Sequence, residues 1–118
     1  MKKRVVHFEI GCNDIAKAAE FYRNVFDWKL EQHGNTARVD TGEETGIGGH
    51  LNQLGPDEPE NYVTVYIETD SIEADLEAVA ANGGKRFVGP IQLPDGRQFA
   101  WFIDVAGNTI GLITPKPV

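Results

Sequence analysis

The sequence predicts an α+β fold of two βαβββ modules. Three observations carry this: an internal repeat, an amphipathic helix pattern after each copy's first strand, and three short strand patterns after each helix. The repeat lays Val6-His7-Phe8-Glu9-Ile10-Gly11-Cys12-Asn13-Asp14-Ile15 over Val63-Thr64-Val65-Tyr66-Ile67-Glu68-Thr69-Asp70-Ser71-Ile72 at a constant offset of 57 positions. A chain of 118 residues matches one domain at roughly 100–200 residues each. Module one is expected over about 1–54, a linker over about 55–61, and module two over about 62–118 of a single domain spanning 1–118.

Each element has its own signal. In the first strand Val6, Phe8 and Ile10 alternate with His7 and Glu9, so one face is apolar and is expected beneath a helix. Asn13 or Asp14 can cap the helix in which Ile15, Ala18, Tyr22, Val25 and Phe26 recur at helical spacing. Trp28 to His33, Thr36 to Asp40 and Gly46 to Gln53 read as strands, with His33-Gly34-Asn35 as a turn. Pro and acid cluster in Leu54 to Asn61, which reads as the connection between modules.

In the second copy Val63, Val65 and Ile67 form the apolar face, opposite Thr64 and Tyr66. Asp70 with Glu73 resembles a capping box before Ile72, Leu76, Val79 and Ala80, and Asn82-Gly83-Gly84 supplies the stop. Lys85 to Val88, Gln98 to Asp104 and Thr109 to Thr114 complete the module, with Val105-Ala106-Gly107-Asn108 as a turn.

Composition narrows the function. Eighteen acidic against 11 basic residues give a net charge of −7, the wrong sign for neutralising phosphates, so no nucleic-acid partner is expected. The apolar runs fall far short of the roughly 20 residues that cross a bilayer, and Met1-Lys2-Lys3-Arg4 leads into a strand pattern instead of a signal-peptide core. A cytoplasmic protein without a membrane partner is expected. One cysteine, Cys12, permits no intrachain disulfide; it lies before a helix start, where thiols can acidify, yet it has no second cysteine and reads as an inert small residue. Gly42 to Gly49 lacks the order of a phosphate loop and reads as a flexible approach to a strand.

Taken together, His7-Phe8-Glu9-Ile10, Asp14-Ile15 with Ala18, Phe21-Tyr22, Val25-Phe26-Asp27-Trp28, Gly48-Gly49-His50-Leu51, Asn82-Gly83-Gly84 and Asp104 to Leu112 resemble the vicinal oxygen chelate superfamily of glyoxalases, bleomycin resistance proteins and dioxygenases, and within it the small glyoxalase-like proteins. The resemblance implies a curved half-barrel sheet with helices outside, and a homodimer. It also implies a divalent metal held at four strand positions, which fall here on His7, His50, Thr64 and Gly111. Only His7 and His50 are ligand types, so the residues themselves fix no cofactor.

The candidate catalytic pair is His7 with Glu9, because an imidazole beside a carboxylate can take and return a proton near neutral pH; the plainer reading is a hydrogen-bonded histidine lining a sheet. His50, Thr64, Tyr66, Trp101 and Gly111 are the candidate ligand-binding positions. If alternation holds, Gly48, His50 and Asn52 share the site face while Ile47 and Leu51 pack beneath the helix, and the side chain missing at Gly111 leaves room. Phe99, Trp101 and Ile103 alternate with Ala100 and Phe102, and the sequence does not say which set faces the core. His33 reads as solvated.

Three functions fit these residues. The first is a small-molecule-binding protein whose pocket lacks the full metal tetrad. The second is a metal-dependent lyase or isomerase acting on a small carbonyl compound or thiol adduct. The third is an interaction module with a vestigial pocket.

Overall fold

Alternation along the strands and a 3.6-residue period along the helices produce ten elements in the order the repeat requires. A computed structural model describes residues 2–42 and 44–117; the expectations for Met1, in the leading segment, and for Glu43, in the Gly42 to Gly49 approach, lie outside the described residues, as does Val118. The elements are β1 (Val5–Cys12), α1 (Ile15–Phe26), β2 (Lys29–His33), β3 (Thr36–Asp40), β4 (Gly48–Gln53), β5 (Tyr62–Glu68), α2 (Ile72–Ala81), β6 (Lys85–Gln92), β7 (Gln98–Ile103) and β8 (Thr109–Ile113). This is the βαβββ order twice over. The chain divides into two compact units, Val6–Thr64 and the remainder, residues up to Val5 joining those from Val65 onward. Among the described residues no helix is long and apolar enough to cross a membrane.

In the unit Val6–Thr64 the strands run β2-β3-β4-β1, antiparallel except for the parallel pair β1/β4. Asp14 caps α1 by accepting the Lys17 N–H, and Asp27 ends it in the left-handed region at φ 57. Ile15, Ala19, Leu30, Ala37, Val39 and Leu51 form the core between helix and sheet, with Phe8, Ile10, Ala18, Tyr22 and Trp28 against it. Helix residues past Tyr22 depart from expectation. Val25 and Phe26 are 54% and 57% exposed, because the sheet side of α1 ends in an aromatic cluster in which Tyr22 stacks on Trp28 at 4.9 Å. Ile47 is exposed too, since β4 begins one residue later and alternation does not yet govern it.

In the other unit the order is β5-β8-β7-β6, with β5/β8 parallel and the remaining pairs antiparallel. Ile72, Leu76, Ala100 and Leu112 form its core with Ile67 and Phe102 packed on it, so Ala100 and Phe102 are the inward set of β7. The cap of α2 is Ser71, whose hydroxyl accepts the Ala74 N–H, and not Asp70. Ala80 is exposed rather than buried. β6 outruns the expected Lys85 to Val88 because Gly89 takes φ 84, and register shifts around Val88 absorb it, letting pairing resume at Ile91. Val63, the second residue of β5, is 73% exposed rather than packed beneath a helix.

Candidate functional site

With Phe8 and Ile10 committed to the α1 core, strand alternation turns His7, Glu9 and Gly11 to the opposite face of β1. Leu51 does the same for β4, turning His50 and Asn52 to that face. The parallel register sets Glu9 against His50 and Gly11 against Asn52, which brings two imidazoles and a carboxylate together.

These side chains lie in series, hydrogen-bonded except between His50 and Glu9, which approach at ion-pair distance. His7 Nε2 lies 2.7 Å from His50 Nδ1, with the rings tilted by 34°. The other nitrogen of His50, Nε2, lies 3.2 Å from Glu9 Oε1. Tyr62 Oη donates to Glu9 Oε2, and Asn52 Nδ2 donates to Tyr62 Oη at 3.1 Å. Glu9 is only 3% exposed, whereas His7 and His50 are half-buried, so the chain runs from a buried carboxylate to imidazoles that reach the surface. The Tyr62 hydroxyl donated to the carboxylate offsets part of the cost of burying its charge. Burial and the bond to Glu9 push the Tyr62 phenol well above its ordinary value, so it remains a donor through neutral pH.

Tyr62 reaches Glu9 only because position 11 is glycine: a Cβ there would lie 2.5 Å from the Tyr62 ring. Gly49 serves a different purpose, since a Cβ there would lie 2.5 Å from the Phe8 carbonyl oxygen. Tyr62 and Asn52 were not among the candidate site residues. The period-two series Tyr62, Thr64, Tyr66 was the available signal for Tyr62, and the alternation that selects His50 also selects Asn52.

The remaining candidates sit on the corresponding face of the other unit, except Thr64, which is buried within the first. There Trp101 Nε1–H donates to Tyr66 Oη at 2.8 Å. Gly111 is the register partner of both Tyr66 and Trp101, and a Cβ at 111 would overlap the Tyr66 ring. The room expected at Gly111 is therefore taken by an aromatic side chain. Phe99 meets Tyr66 edge-on, and the exposed Phe87 stacks on Trp101 with centroids 6.4 Å apart. Phe99 and Trp101 are the outward set of β7.

Cys12 and His33 stand apart. Burial, with the Asp14 charge adding to it, raises the Cys12 thiol pKa, which opposes any acidification from the helix start. His33 is exposed beside Glu31 at 3.1 Å.

The donor set does not fit the divalent metal that the resemblance implies. His7 Nε2 and His50 Nδ1 are directed at each other, His50 Nε2 at Glu9, and Gly111 supplies no side-chain donor beneath Tyr66. Among the described residues no three His, Cys, Asp or Glu side chains are grouped to hold a metal ion.

Known proteins place this architecture. A relative from Didymella fabae, a "Glyoxylase-like domain-containing protein", is 31% identical over 118 residues, covering 90% of this chain and 89% of its own. The crystal structure of a hypothetical protein from Bacillus halodurans C-125 superposes with a TM-score of 0.77 at 20% identity, over 100% of this chain and 98% of that one. Methylmalonyl-CoA epimerase from Streptomyces coelicolor, in complex with 2-nitronate-propionyl-CoA, gives a TM-score of 0.71 at 18% identity over 100% and 98% of the two chains. At such identities these two structures speak for the fold alone. The family model of the Glyoxalase/Bleomycin resistance protein/Dioxygenase superfamily matches residues 4–112, and with the repeat, the topology and these relatives it establishes that the chain belongs to that superfamily.

Proposed function

We propose that the protein binds a small molecule on the sheet face turned away from α1, using His7, His50 and Glu9; the corresponding face of the other unit, with Tyr66, Trp101 and Phe99, is a separate candidate surface. One observation carries the reading: the contiguous series of polar side chains from His7 through His50 and the buried Glu9 to Tyr62 and Asn52. A buried carboxylate and two imidazoles cost more to bury than apolar residues of similar volume, so their assembly on a face that the unit's helix leaves uncovered points to recognition or acid–base chemistry. The aromatic face supplies apolar contact area for the same ligand class. In this reading the protein is a homodimer, as the superfamily resemblance implies, it is cytoplasmic, as the short apolar runs suggest, and it needs no complete metal tetrad.

The test is thermal-shift titration of the full chain with methylmalonyl-CoA, a glutathione hemithioacetal and bleomycin, with parallel metal analysis of untagged protein prepared without chelators. Saturable stabilisation by one of these, lost in either His7→Ala or Trp101→Ala, is expected; at a hundred times Kd it amounts to about 2.7 kcal/mol. Saturable stabilisation that both variants retain overturns the assignment to these faces, and stoichiometric Zn, Ni, Mn or Fe lost in His7→Ala favours the metal-dependent lyase or isomerase instead. Light scattering that shows a monomer at micromolar concentration overturns the homodimer.

A further inference from the structure

We infer that Asn82 is a site of spontaneous deamidation, and that its conversion opens the joint between α2 and β6. Asn82 is followed by Gly83, whereas every other asparagine of the chain precedes a residue with a side chain. A glycine leaves its amide nitrogen unshielded, so that nitrogen can reach the asparagine's own Cγ and close a five-membered ring. Both residues are exposed at the C-terminal end of α2, where Gly83 takes φ 94.

The bonds at this end set where the reaction starts and what it removes. Asn82 Nδ2 donates to the Ala78 carbonyl at 2.8 Å, and the Gly84 N–H donates to the Val79 carbonyl at 2.9 Å. The attacking atom is held more loosely, with the Gly83 nitrogen 3.4 Å from the Ala80 carbonyl oxygen. Fraying of the last helical turn releases both reacting groups together. The Gly83 nitrogen then bonds to Asn82 Cγ, the Cγ–Nδ2 bond breaks, and ammonia leaves with the proton that Gly83 carried. Water opens the resulting succinimide. Cleavage at Cγ leaves aspartate. Cleavage at the main-chain carbonyl leaves isoaspartate, in which the chain runs through the former side chain and is one carbon longer. Either route consumes one water and releases one ammonia.

Each product is a poor helix terminus. The amide donor to Ala78 is gone, and a carboxylate stands at the negative end of α2, whose last turn carries no basic residue. The longer backbone of isoaspartate also finds no slack. A Cβ at Gly84 would lie 2.7 Å from both the Ile103 carbonyl oxygen and Val79 Cγ1, so the chain entering β6 is already in close contact with β7 and α2.

The experiment holds the full chain folded at mildly alkaline pH, beside the same chain in urea, and follows both by peptide mass mapping. The expected result in the folded chain is a gain of about one dalton confined to the peptide spanning Asn82, slower than in urea. Asn82→Gln should stay unmodified over the same time. In the converted protein, separated by its added negative charge, the Gly84 amide should exchange at least about tenfold faster than in the parent. Asn82→Asp adds the charge without the extra carbon and should show a smaller increase. Asn82 intact in the folded chain after the urea sample has converted overturns the site, and so does earlier conversion of another asparagine. Unchanged Gly84 exchange in the converted protein overturns the opening of the joint.

Discussion

The two units repeat one backbone and carry opposite chemistry on the same face. Both run βαβββ, both pair their first and last strands in parallel, and both bury Ile and Leu or Ala residues under a single helix. Each also lays an aromatic ring over a glycine of a neighbouring strand, Tyr62 over Gly11 in one and Tyr66 over Gly111 in the other. Beyond that the faces diverge. Tyr62 donates its hydroxyl to a buried carboxylate and so joins a titratable chain, whereas Tyr66 receives the Trp101 indole N–H and belongs to an aromatic cluster. Packing against a helix fixes one face of each sheet, while the other face is free to differentiate, which is how one fold supports different sites.

The comparison breaks most visibly at Gly111. Placing Glu there would look like restoration of a metal ligand, yet the Tyr66 ring already fills that space. Gly111→Glu should therefore cost about 3–5 kcal/mol through overpacking and a buried carboxylate. Urea denaturation should show the loss, and Tyr66→Ala in the same chain should recover at least about 1 kcal/mol of it by removing the ring. A Gly111→Glu protein as stable as its parent would show that the aromatic roof is not fixed.

Glu9→Ala probes the polar face with the next largest effect. It strands the Tyr62 hydroxyl without its acceptor and removes the carboxylate 3.2 Å from His50 Nε2, in a setting where Glu9 is 3% exposed. A loss of about 2–4 kcal/mol is expected by chemical denaturation. A cost below 1 kcal/mol would mean that water replaces the carboxylate and that the chain is not an integrated network.

How much of this was legible in the sequence depended on the range of the interaction. Alternation fixed the faces of β1 and β4, so His7, Glu9 and His50 could be grouped before any coordinates. Which of the His50 nitrogens meets which neighbour depends on a parallel register set by residues some forty positions away, and local pattern carries no such information. The same holds for the glycines. Gly111 looked like an absence, because a sequence shows what a position lacks and not which neighbour fills it. The Ser71 cap was missed because Asp70 is an equally good capper one residue earlier, and only the path of β5 into α2 decides between them. Val25 and Phe26 keep helical period in the last turn of α1 yet are more than half exposed, so periodicity alone overstated the core.

Trp101→Phe tests the aromatic face at smaller scale. The ring's apolar bulk is largely kept while the indole N–H that bonds Tyr66 Oη at 2.8 Å is lost. The expected cost is about 1 kcal/mol, read from the urea midpoint. An unchanged midpoint would show that the bond to Tyr66 adds nothing to stability.

The smallest expected effect is on pH dependence, and it separates the two tyrosines by what they bond. Tyr62 has an ordinary pKa of 10.0, and in the folded protein burial and the donated bond to Glu9 raise it. The unfolded chain then releases that proton first, so above pH 10 the unfolded state binds fewer protons than the folded one and stability falls as pH rises. The contribution is fully present below pH 10 and is lost as pH climbs through the folded value. For a phenol with part of its ring in solvent, the loss should be roughly a few tenths of a kcal/mol by pH 10. Urea midpoints between pH 8 and pH 11 should therefore decline more steeply in the parent protein than in Tyr62→Phe, which has no phenol to titrate there. Trp101→Phe should keep the parent's slope, because it leaves Tyr62, Glu9 and Asn52 in place. Equal slopes in the parent and Tyr62→Phe would remove the tyrosine from the titrating chain and leave Glu9 anchored by His50 alone.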